Sequence, residues 1–145
     1  MATHDHDGPK VEPLRMVERH EALSGELDVR KLETASESLA EGTAPANVAW
    51  HIAGIRNDDG RPALELTLRG ALPLTCQRCL ETFEWPLQQQ THVLLARDDA
   101  ELKALDETTD DEVILGSKPI GAHALVEDEL LLSMPFAPVH PDACP

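Results

Sequence analysis

Apolar residues alternate with polar or small ones along three segments in the middle of the chain, at residues 48–52, 64–68 and 83–95. A period of two residues places alternate side chains on opposite faces of a β-strand, so that one face is buried and the other meets solvent. The sequence Asn-Asp-Asp-Gly at 57–60 supplies the turn of a hairpin between the first two segments. Because these strands follow one another with short connections, the alternation predicts an antiparallel sheet.

Segments with a helical period flank this sheet. Residues 28–42 begin with an aspartate suited to an N-cap, carry apolar residues at helical spacing and end at a glycine. They predict a three-turn helix, preceded by a short strand at 21–27. Residues 120–134 predict a second helix that a proline ends, with a short strand at 113–115 before it. We therefore expect an α+β fold, with an antiparallel, strongly curved or barrel-like sheet and two or three helices packed on it.

One compact core is the expectation for 145 residues of which 41% are hydrophobic. We expect a single domain over residues 11–145. Residues 1–10 have too little apolar surface to fold and predict a disordered leader. Residues 98–145 hold two basic and twelve acidic side chains, and the densest part of this segment predicts an acidic loop near 98–112, in which residues 100–105 can form a helical turn.

The net charge of −15 limits the classes of function. A protein this acidic repels phosphate at long range and is a poor non-specific ligand for nucleic acid. Aromatic residues make up only 3% of the chain, which argues against an aromatic platform for stacking bases. No apolar run is long enough to span a bilayer, and the first ten residues lack the features of a signal peptide. We expect a cytoplasmic protein with reduced cysteines.

Two cysteines form the sharpest local signal. Cys76 and Cys79 make a C-x2-C motif between two predicted strands, which is typical of a knuckle that presents two thiolates to one tetrahedral metal ion. His140 and Cys144 can complete such a ligand set. These four residues therefore predict a zinc site that joins the C-terminal segment to the sheet. The alternative is a free thiol pair in a turn, with an unrelated histidine and cysteine near the C-terminus.

A redox-active pair is a further chemistry open to the C-x2-C motif. Arg78 lies between the two cysteines and can stabilise a thiolate. A redox pair is expected at the N-terminus of a helix, however, and predicted strands flank this one. Sequence motifs of the common nucleotide-binding, zinc-protease and serine-hydrolase sites do not occur in the chain. The residues alone thus indicate a binding or assembly factor.

Arginines in the middle third provide the one candidate for a basic patch. Residues 51–97 hold five basic and five acidic side chains, so this part of the chain is neutral. Arg69 and Arg78 are the residues we expect to contact a partner or RNA. The other arginines of this segment are Arg56, Arg61 and Arg97. We expect His51 and His92, which lie in strands, to be surface residues.

The acidic run at 127–129 interrupts an apolar helix. Consecutive helical positions point about 100° apart, so these three side chains cannot all share one face. The expected arrangement is a solvated face opposite the leucines at 125, 131 and 132. The alternative is a contact of Glu127 and Asp128 with a partner or with a buried arginine.

The segment TCQRCLETFEWPL, followed some forty residues later by LVEDELLLSMPFAPVHPDAC, resembles the bacterial YceD family of large ribosomal RNA subunit accumulation proteins. The resemblance extends over roughly residues 14–145, because the order of a strand, a helix and two alternating strands also fits the family. The motif positions in this chain are Cys76, Arg78, Cys79, Leu80, Glu81, Glu127, Asp128, Glu129, Pro135, Pro138, His140 and Cys144.

The resemblance implies a non-enzymatic role in the synthesis, processing or stability of 23S ribosomal RNA. The implied partner is large-subunit RNA or a basic ribosomal protein or assembly factor, and the charge favours a protein. One alternative is a thiol-dependent redox protein that uses the C-x2-C pair. Another is an acidic chaperone or decoy that mimics nucleic acid.

Overall fold

The computed structural model describes residues 8–42, 44–141 and 144. These residues contain seven strands and three α-helices. In chain order the elements are β1 (Lys10–Val11), α1 (Pro13–Arg19), β2 (Ala22–Asp28), two 3-10 helices (Val29–Lys31 and Ala35–Ser38), β3 (Asn47–Arg56), β4 (Pro62–Thr75), β5 (Thr82–Ala96), α2 (Asp99–Thr108), β6 (Val113–Leu115), β7 (Ile120–Gly121) and α3 (Ala122–Ser133). Residues 1–7 of the predicted leader lie outside the described residues, and Lys10 already pairs with Gly121 in a small β1–β7 sheet.

The five remaining strands form one open sheet in the order β2-β3-β4-β5-β6. The first four pair antiparallel, as the alternation predicts. The expectation of a wholly antiparallel sheet is wrong at the edge, because β6 pairs parallel to β5. The helix α2 connects these two strands and returns the chain to the same end of the sheet, which makes the pair parallel. Since β2 and β6 both remain edges, the sheet does not close into a barrel.

One face of the sheet carries the core. Leu64, Leu66 and Leu68 of β4 are buried in one cluster with Val48 and Ile52 of β3, as their period of two predicts. The helices α1 and α3 contribute apolar side chains to the same cluster. On the opposite face Ala49, His51 and Arg69 are exposed.

The helix α1 lies directly against β3. A Cβ atom at Gly54 would stand 2.5 Å from the backbone nitrogen of Val17, closer than atoms can approach without a shift. Glycine at this position therefore permits the helix to touch the strand. Sequence reasoning missed α1, which has only seven residues and begins at Pro13.

The three-turn helix predicted for residues 28–42 is wrong. Asp28 does cap a helix, because its side chain accepts a hydrogen bond from the Arg30 N–H, but that helix is 3-10 and ends at Lys31. The first three buried residues of the segment recur at a spacing of three, which is the 3-10 period. They are Val29, Leu32 and Ala35, and Leu39 and Ala40 are also buried.

The acidic loop predicted near 98–112 instead contains the ten-residue helix α2. The Asp98 side chain accepts a hydrogen bond of 2.8 Å from the Glu101 N–H and so caps the helix. The Glu101 side chain reaches back to the Arg97 N–H at 2.8 Å. Acidic residues in the first turn also suit the positive end of the helix dipole.

The buried face of α3 differs from the predicted one. Glu129 is 5% exposed and lies on the same buried stripe as Leu125 and Leu130, whereas Leu131 and Leu132 are exposed. The stripe follows the helical spacing of three and four residues from Ala122. None of the described helices is long and apolar enough to span a membrane.

Candidate metal centre

A tight turn joins β4 to β5 and holds the C-x2-C motif. The Cys76 N–H donates to the Glu81 carbonyl at 2.9 Å, which continues the hairpin ladder by one step. The Leu80 N–H donates to the Cys76 carbonyl at 2.8 Å, so the chain between the two bonds closes into a knuckle. Leu80 follows the second cysteine and has a φ of 64°, in the left-handed region. This conformation is uncommon for a bulky side chain.

The segment after α3 runs across this knuckle. The helix ends at Ser133, and the following segment brings the Pro138 carbonyl within 2.8 Å of the Gln77 N–H, which donates to it. The Arg78 guanidinium donates to the His140 carbonyl at 3.1 Å. The rings of Phe83 and His140 stack at a centroid distance of 4.7 Å. Backbone, charged and aromatic contacts thus fix the C-terminal segment against the sheet.

These contacts bring the four predicted ligands together. The ligand atoms of Cys76, Cys79, His140 and Cys144 all lie within 4.8 Å of one another. The Sγ atoms of Cys76 and Cys144 are 3.7 Å apart, and Cys79 Sγ is 3.6 Å from His140 Nδ1. A tetrahedral zinc ion with bonds of about 2.0–2.3 Å requires ligand-to-ligand distances of roughly 3.5–3.8 Å. The residues therefore fit zinc in number and type, and the Cys76–Cys144 and Cys79–His140 pairs also fit it in separation.

The thiols of this cluster have unequal proton affinities. Burial raises the pKa of Cys76, but hydrogen bonds from the backbone of Cys79, His140 and Arg78 and from the His140 side chain outweigh it, so this pKa falls to about 5. Burial raises the pKa of Cys144 to about 11, assisted by its hydrogen bonds to Cys79 and Cys76 and by repulsion from them. Backbone N–H groups directed at a sulfur are the kind of outer contacts that support a thiolate metal ligand.

The surroundings of Cys76 bear on the redox alternative. A lowered pKa favours the nucleophilic thiolate form of Cys76. The Cys76 side chain is fully buried, however. Reactive cysteines are partly exposed, because the thiolate must reach its substrate. The motif also lies between two strands and not at a helix N-terminus. The arrangement suits metal ligation better than thiol exchange.

The predicted contact residues do not form one site. Arg78 lies in the knuckle, whereas Arg69 lies on the open face of β4, six residues and about 20 Å before the strand ends. Glu127 accepts hydrogen bonds from the Thr34 and Ala35 N–H groups at 2.9 and 2.8 Å, so it anchors the second 3-10 helix to α3. Asp128 is an exposed residue of α3. Partial desolvation of its carboxyl group and repulsion from the Glu127 carboxylate raise its pKa.

The other arginines lie far from the knuckle. Arg56 and Arg61 flank the β3–β4 turn, and Arg97 follows the adjacent end of β5. The same end of the sheet carries acidic residues of the turn and of α2. Of the predicted surface histidines, His51 is exposed and His92 contacts the Glu65 carboxylate at 3.0 Å. Three of the five arginines of the neutral third thus lie at one end of the sheet beside acidic residues, and Arg69 and Arg78 lie elsewhere.

Sequence reasoning missed several side chains that shape the centre. The sequence predicts Phe83 only as an apolar residue of the alternating strand, yet its ring contacts His140. Phe136 is fully exposed in the segment that crosses the knuckle. The prolines at 135 and 138 were the available signal, because they favour an extended, rigid segment.

Comparison with protein families gives one result. A family model described as Large ribosomal RNA subunit accumulation protein YceD matches residues 64–145, which is more than half of the chain. The matched segment begins in β4 and contains the knuckle, α3 and all four candidate ligands. Comparisons with curated proteins and with solved structures found no match.

Proposed function

Because the chain belongs to the YceD family of large ribosomal RNA subunit accumulation proteins, we propose that it supports the accumulation of 23S ribosomal RNA as a non-enzymatic assembly factor. The observation that carries this proposal is the family match over the knuckle and the segment that crosses it. The proposed role acts on synthesis, processing or stability of the RNA in the cytoplasm.

We propose that Cys76, Cys79, His140 and Cys144 bind zinc. Their separations suit a tetrahedral ion, and three sulfur ligands with one imidazole form a closed structural set. A bound zinc ion supplies a cross-link between the knuckle and the C-terminal segment. The role of the four side chains is to hold that segment on the sheet.

The charge distribution favours a protein partner over direct contact with RNA. The net charge of −15 opposes the approach of phosphate, and the arginines at 56, 61, 69, 78 and 97 are dispersed over three places in the fold. Each phosphate contact needs a local basic group that acts against the overall field. We therefore propose a basic large-subunit ribosomal protein or assembly factor as the partner, with an RNA contact through Arg69 and Arg78 as the alternative.

The test is the ratio of mature 23S to 16S RNA in cells depleted of the protein, with the precursor ends mapped in the same samples. We expect the ratio to fall and wild-type protein to restore it. Cys79→Ser should restore it poorly because it removes one ligand. Asp59→Asn, in the β3–β4 turn far from the knuckle, is the matched control and should restore it fully. An unchanged ratio after depletion would contradict the proposed function.

A thiol-dependent redox protein is the second candidate, favoured by the lowered pKa of Cys76. It predicts reversible oxidation of Cys76 with Cys79 and fast reaction with a thiol reagent under native conditions. The assembly factor predicts protected thiols and one bound zinc ion per chain. Native mass spectrometry before and after a thiol reagent separates the two candidates.

A further inference from the structure

The exposed large apolar side chains of the described residues all lie in the knuckle, in the last turn of α3 or in the segment that crosses the knuckle. They are Leu80, Leu131, Leu132, Phe136 and Val139, and we call this set the apolar rim. One member is at the tip of the knuckle, and the others follow one another from the last turn of α3 into the segment that crosses it. A concentration of apolar surface in one region commonly marks an interaction site.

Two members of the apolar rim lie where a polar residue would suit the fold better. Leu80 is 73% exposed and has a positive φ, which glycine or asparagine adopts more readily. Phe136 is fully exposed, although the chain contains only two phenylalanines. Neither side chain gains burial from folding, so both are available for a contact outside the chain.

A concave surface adjoins the apolar rim. Phe136 and Pro138 line a cavity of about 290 Å³ together with Glu37. Its exposed lining is mostly polar. A partner that covers Phe136 thus has an adjoining cavity that can accept polar groups.

The charge around the apolar rim selects the kind of partner. Among the described residues of 76–84 and 127–141, three exposed side chains are acidic, Glu81, Glu84 and Asp128, and one is basic, Arg78. Three thiolates and one zinc ion would add a further net charge of −1. A second copy of this chain and a nucleic acid are both negatively charged, so both would be repelled. A positively charged protein segment is attracted by the acidic surroundings, and its own apolar side chains can cover the rim.

We propose that the apolar rim is the docking site for a basic protein segment that inserts apolar side chains between Leu80 and Phe136. The inference deepens the proposed function and rests on it for the class of partner. The acidic surroundings provide long-range attraction, and the rim provides the buried contact that fixes the complex.

The first experiment measures binding of labelled peptides to the zinc-loaded full chain by fluorescence anisotropy. The probe is a short peptide of alternating Lys and Leu, compared with Lys/Ser and Glu/Leu peptides of equal length. We expect the Lys/Leu peptide to bind most tightly. Phe136→Ser should weaken it about tenfold, as the loss of a central aromatic contact does. Ala137→Ser is the matched control, since Ala137 is next to Phe136 in the chain and is also exposed.

Each outcome of this experiment decides the proposal. Equal binding of the Lys/Ser peptide would mean that charge alone acts, and equal binding of the Glu/Leu peptide would mean non-specific adhesion. Either result overturns the proposal, as does unchanged affinity in both Phe136→Ser and Leu132→Ser. Zinc content and tryptophan fluorescence establish that each variant is folded.

A second experiment identifies the partner in cells. A photo-crosslinking phenylalanine analogue replaces Phe136, and the same analogue at Asp59 serves as the control. A cross-linked protein segment with net positive charge supports the proposal, whereas RNA, a second copy of this chain or no product above the control overturns it. If depletion lowers 23S RNA but the cross-link fails, the proposed function stands and the docking site does not. If the cross-link forms but depletion leaves 23S RNA unchanged, the docking site stands and the proposed function does not.

Discussion

Removal of the proposed zinc ion should lower the free energy of unfolding by about 4 kcal/mol. The ion would link residues 61 positions apart at Cys79 and His140 and 68 positions apart at Cys76 and Cys144. The chain-entropy relation for a cross-link that closes a loop of this length gives about 4 kcal/mol at 25 °C. This is a large share of the roughly 5–15 kcal/mol that stabilises a domain.

The assay is urea unfolding of the full chain with saturating zinc and with a strong chelator, followed by tryptophan fluorescence. Trp85 of β5 pairs with Leu72 near the knuckle and is half-buried, whereas Trp50 is buried in the core, so the signal reports on both regions. With a typical urea slope of about 1–3 kcal/mol/M, the midpoint should fall by at least about 1 M. The variant Cys79→Ser should unfold near the chelated midpoint and respond little to chelator.

The result that would refute this reasoning is a midpoint that chelator leaves unchanged while mass spectrometry detects zinc on the chain. The ion would then bind without closing the long loop, and the link between residues 76–79 and 140–144 would carry no stability. A chain that binds no zinc at all would refute the metal site itself. The unfolding slope serves as the control, since a changed slope would indicate loss of two-state behaviour.

Three further substitutions test other parts of the structure. Burial raises the pKa of Glu129, so its stabilising contribution is full below the unfolded pKa of about 4.3 and is lost as pH rises through the folded pKa. The free energy of unfolding of Glu129→Gln should therefore exceed that of wild type by about 1 kcal/mol at neutral pH and by less at about pH 5. The difference in urea midpoints measures this, and a difference that stays constant with pH would contradict it. Leu80→Asn should raise stability by up to about 1 kcal/mol in zinc-loaded protein because asparagine tolerates the positive φ, and a lower thermal midpoint would count against that reasoning. Gly54→Ala should lose about 2 kcal/mol or more because its Cβ would collide with the Val17 backbone, and an unfolding midpoint equal to that of wild type would show that α1 can move away.

Local patterns in the sequence predicted the central strands well, because a period of two depends only on which face is buried. The hairpin of β3 and β4, the strand β5 and the short strand Val113–Leu115 all lie where the alternation or apolar content places them. The resemblance to the YceD family is also confirmed by the family match, over residues 64–145 of the 14–145 expected. The helix at 120–134 was predicted within two residues of its ends, but its buried face was not.

The features that sequence reasoning missed depend on contacts between distant residues. The side chain of Glu129 accepts a hydrogen bond from Ser133 Oγ at 3.3 Å, and Thr91 and Gln89 of β5 help to lower its pKa. This polar environment exists only after α3 packs on β5. The second 3-10 helix owes its position to Glu127, more than 90 residues away. The four candidate ligands of the metal centre were all identified in the sequence, but the approach of His140 to the C-x2-C motif depends on the course of the segment after α3.

The candidate metal centre and the apolar rim form one structural unit. The segment from Met134 to His140 has no helix or strand of its own, so the knuckle contacts must define its course. Phe136 lies within that segment and Leu80 lies in the knuckle, which means that the contacts that gather the ligands also set the distance between the two rim residues. In the proposed assembly factor, a zinc ion bound at this centre would order a short apolar surface on an acidic protein. This arrangement also reconciles the family's connection to ribosomal RNA with a net charge of −15, because the protein would act on the RNA through a basic partner and not through its own surface.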